Sequence, residues 1–169
     1  MGLFKSRATL AGAQLALRAA VAGAFAVAVA KYFSFDFPIF AFITAVLVTD
    51  LSVAESRKQG LARLVSTIVG AIWGALLAPL VPSGPLAVGF GILLAMLTCQ
   101  IFAGAGGARV AAFVCGIIIL ANPTEPWLYA FHRLAETVLG VTVAWAVSFV
   151  PKLFLFEDTG TKGPSDSGG

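Results

Sequence analysis

The sequence predicts an all-α polytopic membrane helix bundle, with six transmembrane helices arranged as two inverted three-helix repeats. Three observations carry this expectation. Of 169 residues, 59% are hydrophobic and 11% charged, against roughly 45–50% and about 25% in soluble domains. Apolar runs separated by short charged or Pro/Gly clusters fill nearly the whole chain and leave no length for a separate catalytic domain. One motif also recurs: Arg63-Leu64-Val65-Ser66-Thr67-Ile68-Val69-Gly70 matches Arg133-Leu134-Ala135-Glu136-Thr137-Val138-Leu139-Gly140 at an offset of 70, with Arg, Leu, Thr and Gly identical.

Taken in order, residues 1–10 form a short cytoplasmic segment. The first span, about 11–31, holds Arg18 and ends at Lys31-Tyr32, a cation beside an interfacial aromatic. A cleavable signal peptide is the rival for this stretch, because Lys5 and Arg7 precede an apolar run ending in Ala28-Val29-Ala30. The second span, about 37–53, begins near Pro38, and its apolar part stops at Thr49-Asp50. That is less than the ~20 residues of a full helical crossing, so a short or broken span is expected.

The third span, about 61–81, carries Arg63 near its start and the GxxxG pair Gly70 and Gly74, which lets another helix pack closely. Gly140 repeats Gly70 in the second half. Pro79, Pro82 and Pro85 close the third span. The fourth, about 86–103, has no charge and runs into a Gly-rich turn ending at Arg109. The fifth, about 108–122, is short and stops at Asn122-Pro123; the sixth, about 127–150, has His132, Arg133 and Glu136 in its first turns. Residues 153–169 are too polar to order themselves and read as a disordered cytoplasmic tail.

The positive charges fix an orientation. With the N-terminus in the cytoplasm, Lys5, Arg7, Arg18, Arg57, Lys58, Arg63, Arg109, Lys152 and Lys162 fall on the inner side, leaving Lys31 and Arg133 outside. Six crossings with both termini cytoplasmic are the solution consistent with this bias. Three spans per half is an odd number, so the halves enter the membrane in opposite senses. Their symmetry axis then lies in the membrane plane, a build that recurs in transporters with midplane sites beside short helices. A non-transporting scaffold is the alternative that duplication alone permits.

Charges inside spans are costly, so those that persist face a cavity, pair, or snorkel to an interface. The candidates for a solute pathway are Arg18, Asp50, Arg63, Asn122 and Arg133. Arg63 and Arg133 hold equivalent positions, expected at opposite faces, each offering a guanidinium fork to an anion at one mouth or else snorkelling to lipid phosphate. An Arg18–Asp50 ion pair is possible on the inner side. His132 and Glu136, four apart, share a helix face and are candidates for proton coupling. Cys99 and Cys115 lie in apolar runs and read as small buried hydrophobes. Neither a metal-ligand set, a phosphate-binding loop, a nucleophile motif nor a nucleic-acid-binding pattern is legible. The expectation is therefore no enzyme, no cofactor, no metal and no nucleic-acid partner.

The runs Ala16-Leu17-Arg18-Ala19-Ala20, Pro38 to Val48 and Arg63 to Gly74, with the Arg133 to Gly140 motif, resemble the aromatic acid exporter or fusaric acid resistance-like (FUSC) membrane module over about residues 10–152. The resemblance implies a six-helix bundle, efflux of organic and often aromatic carboxylic acids, and kinship with plant malate-channel proteins that work as dimers. Larger members join two modules or add a soluble domain, which this chain does not show, so a homodimer is expected. The functional expectation is export of small organic anions across a bacterial inner membrane. The alternatives are a passive anion channel of the malate-channel type and a membrane scaffold or accessory subunit.

Overall fold

A computed structural model describes residues 2–35 and 37–149, side chains excepted at 2–11 and 103–105. The predicted tail at 153–169, the cations Lys152 and Lys162, and the side chains of Lys5 and Arg7 lie outside the described residues. Most of the described residues are helical: α1 (Gly2–Tyr32), α2 (Pro38–Val48), α3 (Val53–Leu77), α4 (Pro85–Ala121) and α5 (Pro126–Phe149). α2, α4 and α5 each begin on proline, whose fixed φ suits a first turn and whose missing N–H would have no helical partner there. Asn122 ends α4 in the left-handed region at φ 39°, and Pro123 then prevents continuation.

α4 is a hairpin although its helical assignment runs on through the bend. A Cβ built on Gly91 would sit 2.5 Å from Ile119 and 3.0 Å from the Cys115 sulfur. Residues 91 and 119 would be about 42 Å apart on a straight helix at 1.5 Å per residue. The element therefore folds back into two arms, Pro85–Phe102 and Gly106–Ala121. With these arms the described residues contain six helical legs, as expected.

Boundaries differ at several places: α1 is already helical from Gly2, within the segment predicted to precede the first span, and α3 ends at Leu77, short of the predicted 81. α3 starts at Val53, eight residues before the predicted start at Leu61, so residue 53 belongs to α3 and not to the second span. Hydropathy finds only the apolar part of a helix, and Glu55-Ser56-Arg57-Lys58-Gln59 is polar. Glu55 in the first turn favours that start through the helix dipole. α2 is shorter than predicted, 11 residues, with extended backbone at Thr49. Three helical stretches, Gly12–Tyr32, Val53–Leu77 and Pro85–Phe102, are long and apolar enough to cross a membrane; Pro38–Val48 and Gly106–Ala121 are apolar but shorter.

The packing is that of a membrane protein. The buried seams are small: Ala22, Ala26 and Ala30 of α1 meet Ala41 and Ala45 of α2 and Val143 and Val147 of α5. The large apolar side chains point outward, with Leu86 90% and Ile101 79% exposed. Water would penalise that arrangement; lipid matches it, while small residues permit close helix contact.

The contacts also repeat at the offset of 70. Gly70 of α3 abuts the Ala111 carbonyl and Val114 of the second α4 arm; Gly140 of α5 abuts the Ala41 carbonyl and Thr44 of α2. Adding 70 to Ala41, Thr44 and Gly70 gives Ala111, Val114 and Gly140. Each half thus places its third helix against the second helix of the other. α3 and α5 run antiparallel: Ser56 bonds Ser148, while Gly60 packs on Val141 and Trp145. That register brings Thr67 opposite its own repeat equivalent, Thr137.

Candidate functional site

The crossing of α3 and α5 encloses a cavity lined by Thr44, Arg63, Thr67, Arg133 and Thr137, with Phe40 and Phe113 among its walls. Arg63/Arg133 and Thr67/Thr137 are offset-70 pairs. The equivalence extends to hydrogen bonding, since Thr67 donates to the Arg63 carbonyl and Thr137 to the Arg133 carbonyl, both at 2.9 Å. The space is narrow, about 10 Å³ counted at water centres, scarcely that of one water.

The two arginines thus both line one cavity at the crossing of α3 and α5. The early start of α3 puts Arg63 ten residues from that helix's beginning, and Arg133 lies seven residues into α5. At 1.5 Å per residue these positions lie about 15 and 10 Å along their helices.

Their surroundings differ sharply. Arg133 is 2% exposed. Its guanidinium lies over the rings of Phe40 at 3.7 Å, Phe37 at 4.5 Å and Tyr129 at 4.7 Å, and pairs with Glu136 at 3.1 Å. Phe37 and Tyr129 meet edge to face at 6.1 Å, so the rings form a cage. Glu136 is fully buried. Arg63 is half-buried, and its Nε has no hydrogen-bond partner. It also lines a second cavity of about 400 Å³, together with Glu55, Lys58, Gln59, Ser66, Gly107 and Val110 among others. Arg63 is therefore the side chain between an open vestibule and the constriction. The buried Thr44 hydroxyl, also without a partner, faces the same constriction.

The other predicted positions lie elsewhere. Arg18 donates to the Leu51 carbonyl at 3.2 Å. Asp50 instead accepts from the Ser52 N–H at 3.1 Å and from Gln59 at 3.5 Å, so the anticipated Arg18–Asp50 pair is not formed. The physical reason is the turn after α2, which folds the carboxylate onto its own loop. Asn122 is the exposed cap of α4, away from both cavities. His132 is half-buried on α5, one turn before Glu136, whose carboxylate meets Arg133. Gly70, Gly74 and Gly140 sit at close helix contacts; a Cβ on Gly74 would lie 2.8 Å from that of Ile118.

Sequence reasoning missed Thr44, Phe37, Phe40, Gln59 and Tyr129. The repeat contained the signal for some of them: extended beyond the motif, it pairs Thr44 with Val114 and thereby marks the wall of the constriction.

Comparison with known proteins follows the same lines. The family model described as "Fusaric acid resistance protein-like" matches residues 24–147, most of the chain. Among curated proteins, a UPF0421 protein of Halalkalibacterium halodurans is 26% identical over 113 residues, 67% of this chain and 32% of its own length. A UPF0421 protein of Staphylococcus haemolyticus is 28% identical over 116 residues, 67% of this chain and 35% of its own. The chain therefore spans about a third of the length of the curated relatives it matches. No solved structure matches it.

Proposed function

We propose that this chain, which belongs to the fusaric acid resistance protein-like family, exports small organic anions, aromatic carboxylates foremost, through the cavity shared by Arg63 and Arg133. Family and apolar helices together make it a multi-pass membrane protein with a general transport role. Solute, direction and sidedness are the proposal.

The single observation that carries it is the meeting of two repeat-equivalent arginines at one central cavity. Arginine within a membrane helix is expensive and persists where it faces a polar path. Its planar fork suits a carboxylate. The reciprocal contacts of the two halves support an inverted repeat with its axis near Thr67 and Thr137, where such proteins hold their solutes. Arg57 and Lys58 at the start of α3 and Arg109 at the start of the second α4 arm share the end onto which the 400 Å³ vestibule opens; Lys31 ends α1 at the opposite side. The excess of cations supports a cytoplasmic vestibule, the side from which an exporter loads. The narrowness of the constriction favours a gated path over a permanently open pore.

The test is accumulation of labelled benzoate and salicylate in cells expressing wild type, Arg63→Ala or an empty vector. Wild type lowers accumulation, and Arg63→Ala returns it to the vector level. Equal accumulation in all three overturns the reading. In a voltage-clamped bilayer, large unitary currents would identify a channel, whereas slow saturable flux identifies a carrier.

A further inference from the structure

The offset of 70 assigns every residue around Arg133 a counterpart around Arg63. Phe37 maps to Gly107, Phe40 to Val110, Tyr129 to Gln59 and Glu136 to Ser66. The first four are the three rings and the carboxylate that enclose Arg133. All four counterparts line the 400 Å³ vestibule. Along the vestibule a glycine, a valine, a glutamine and a serine stand where the other half has a cage.

We infer that the two ends of the constriction are unlike: the vestibule at Arg63 is the capture site for the solute's carboxylate and ring, and the cage at Arg133 is the gate. This rests on the transport reading of the same cavity. In an inverted repeat whose halves exchange conformations, each end must be able to take the other's shape. Here no backbone motion lets Gly107, Val110, Gln59 and Ser66 supply three rings and a carboxylate, so the asymmetry is written in side chains.

The Arg133 cage also states what Arg63 lacks. Within the chain, Arg133 receives a carboxylate at 3.1 Å and flat ring faces at 3.7–4.7 Å. At the position equivalent to Glu136, Ser66 donates its hydroxyl to the Ala62 carbonyl and accepts from the Cys99 thiol, and brings no charge. Glu55 accepts from Gln59 at 3.4 Å and forms no ion pair with Arg63. An anion joining one carboxylate to one ring completes around Arg63 what Glu136 and Phe40 complete around Arg133. The cavity falls within the roughly 300–1,000 Å³ typical of small-molecule sites. Moving on, the anion reaches Arg133 only by competing with Glu136 for the guanidinium, which opens the gate.

The experiment uses the full chain in proteoliposomes with benzoate as the probe. Gln59→Cys is exposed to a charged thiol reagent, with wild type as the blank because Cys99 and Cys115 are buried. Expected is modification of Gln59→Cys only, slowed about tenfold by benzoate at ten times its dissociation constant. Adding Ser66→Glu and Val110→Phe, which give Arg63 the counterparts of Glu136 and Phe40, slows modification without benzoate. In a second arm, Phe40→Val with Tyr129→Gln replaces two of the three rings on Arg133 by the residues that stand near Arg63 and raises benzoate efflux several-fold over wild type. Absence of benzoate protection overturns the capture site, and unchanged efflux in the second arm overturns the gate, provided that variant elutes as wild type does. Protection in vesicles that pass no benzoate would remove the transport reading while keeping the site. Wild-type flux without protection would do the reverse.

Discussion

Burying the Arg133 guanidinium in a membrane helix costs several kcal/mol, and its neighbours show how the cost is offset. Three ring faces and the Glu136 carboxylate replace water around it, each desolvated cation–π contact contributing up to about 2 kcal/mol. Glu136 depends on the same pairing. Arg133→Met therefore strands a fully buried carboxylate and destabilises the fold by roughly 3–5 kcal/mol, whereas Arg133→Met with Glu136→Leu recovers most of the loss. Thermal unfolding in detergent measures both, and equal losses in the single and double variants would show that the pair is not coupled. Arg63 is different. It is half-buried with an unpartnered Nε, so Arg63→Met shifts the melting point little while abolishing benzoate export. The sequence motif identified both arginines, since charge inside an apolar run is conspicuous. Their unlike surroundings were not legible, because Phe37 and Phe40 reach Arg133 from α2, nearly 100 residues away in the chain.

Helix contact here depends on where glycine stands. Gly70 and Gly140 admit the backbone carbonyls of Ala111 and Ala41, and carbonyls held in helices cannot yield. Gly70→Ala and Gly140→Ala are each expected to destabilise by about 1–3 kcal/mol, as overpacking does, and by similar amounts because their contacts are repeat images. Gly89 meets nothing within 4 Å, so Gly89→Ala is neutral or stabilising by up to about 1 kcal/mol through helix propensity. Melting points of the three variants test the contrast; a loss at Gly89 equal to that at Gly70 would mean that propensity and not contact governs these helices. Element boundaries were legible where proline or an apolar run marked them, as at Pro38, Pro85 and Pro126. They failed at α3, whose first two turns are polar yet helical. The GxxxG spacing marked a close contact but could not name the partner helix, which tertiary packing alone decides.

At the scale of the whole molecule, two independent patterns converge on one arrangement. The first is chemical: Arg57, Lys58 and Arg109 cluster at one end of the bundle, opposite Lys31. The second is geometric: antiparallel α3 and α5 cross at Thr67 and Thr137, and the contacts of one half reappear in the other. The offset of 70 was visible in eight residues of sequence and laid the short second run over the short fifth one, but which residues of α2 and the second α4 arm correspond in their contacts emerged from packing, since only apolarity matches there. If all six legs cross, the antiparallel relation of α3 and α5 requires their starts to lie on opposite sides of the bilayer. Lys31 and Lys58 are both exposed, which makes them suitable reporters. In whole cells, an impermeant thiol reagent should label Lys31→Cys from outside and reach Lys58→Cys only after permeabilisation. Labelling of both from outside would place residues 31 and 58 on one face, and α2, at 11 residues, would then be a re-entrant segment and not a crossing. The arginines would still share their cavity, but the vestibule would no longer face the cytoplasm, the side from which we propose that the solute is loaded.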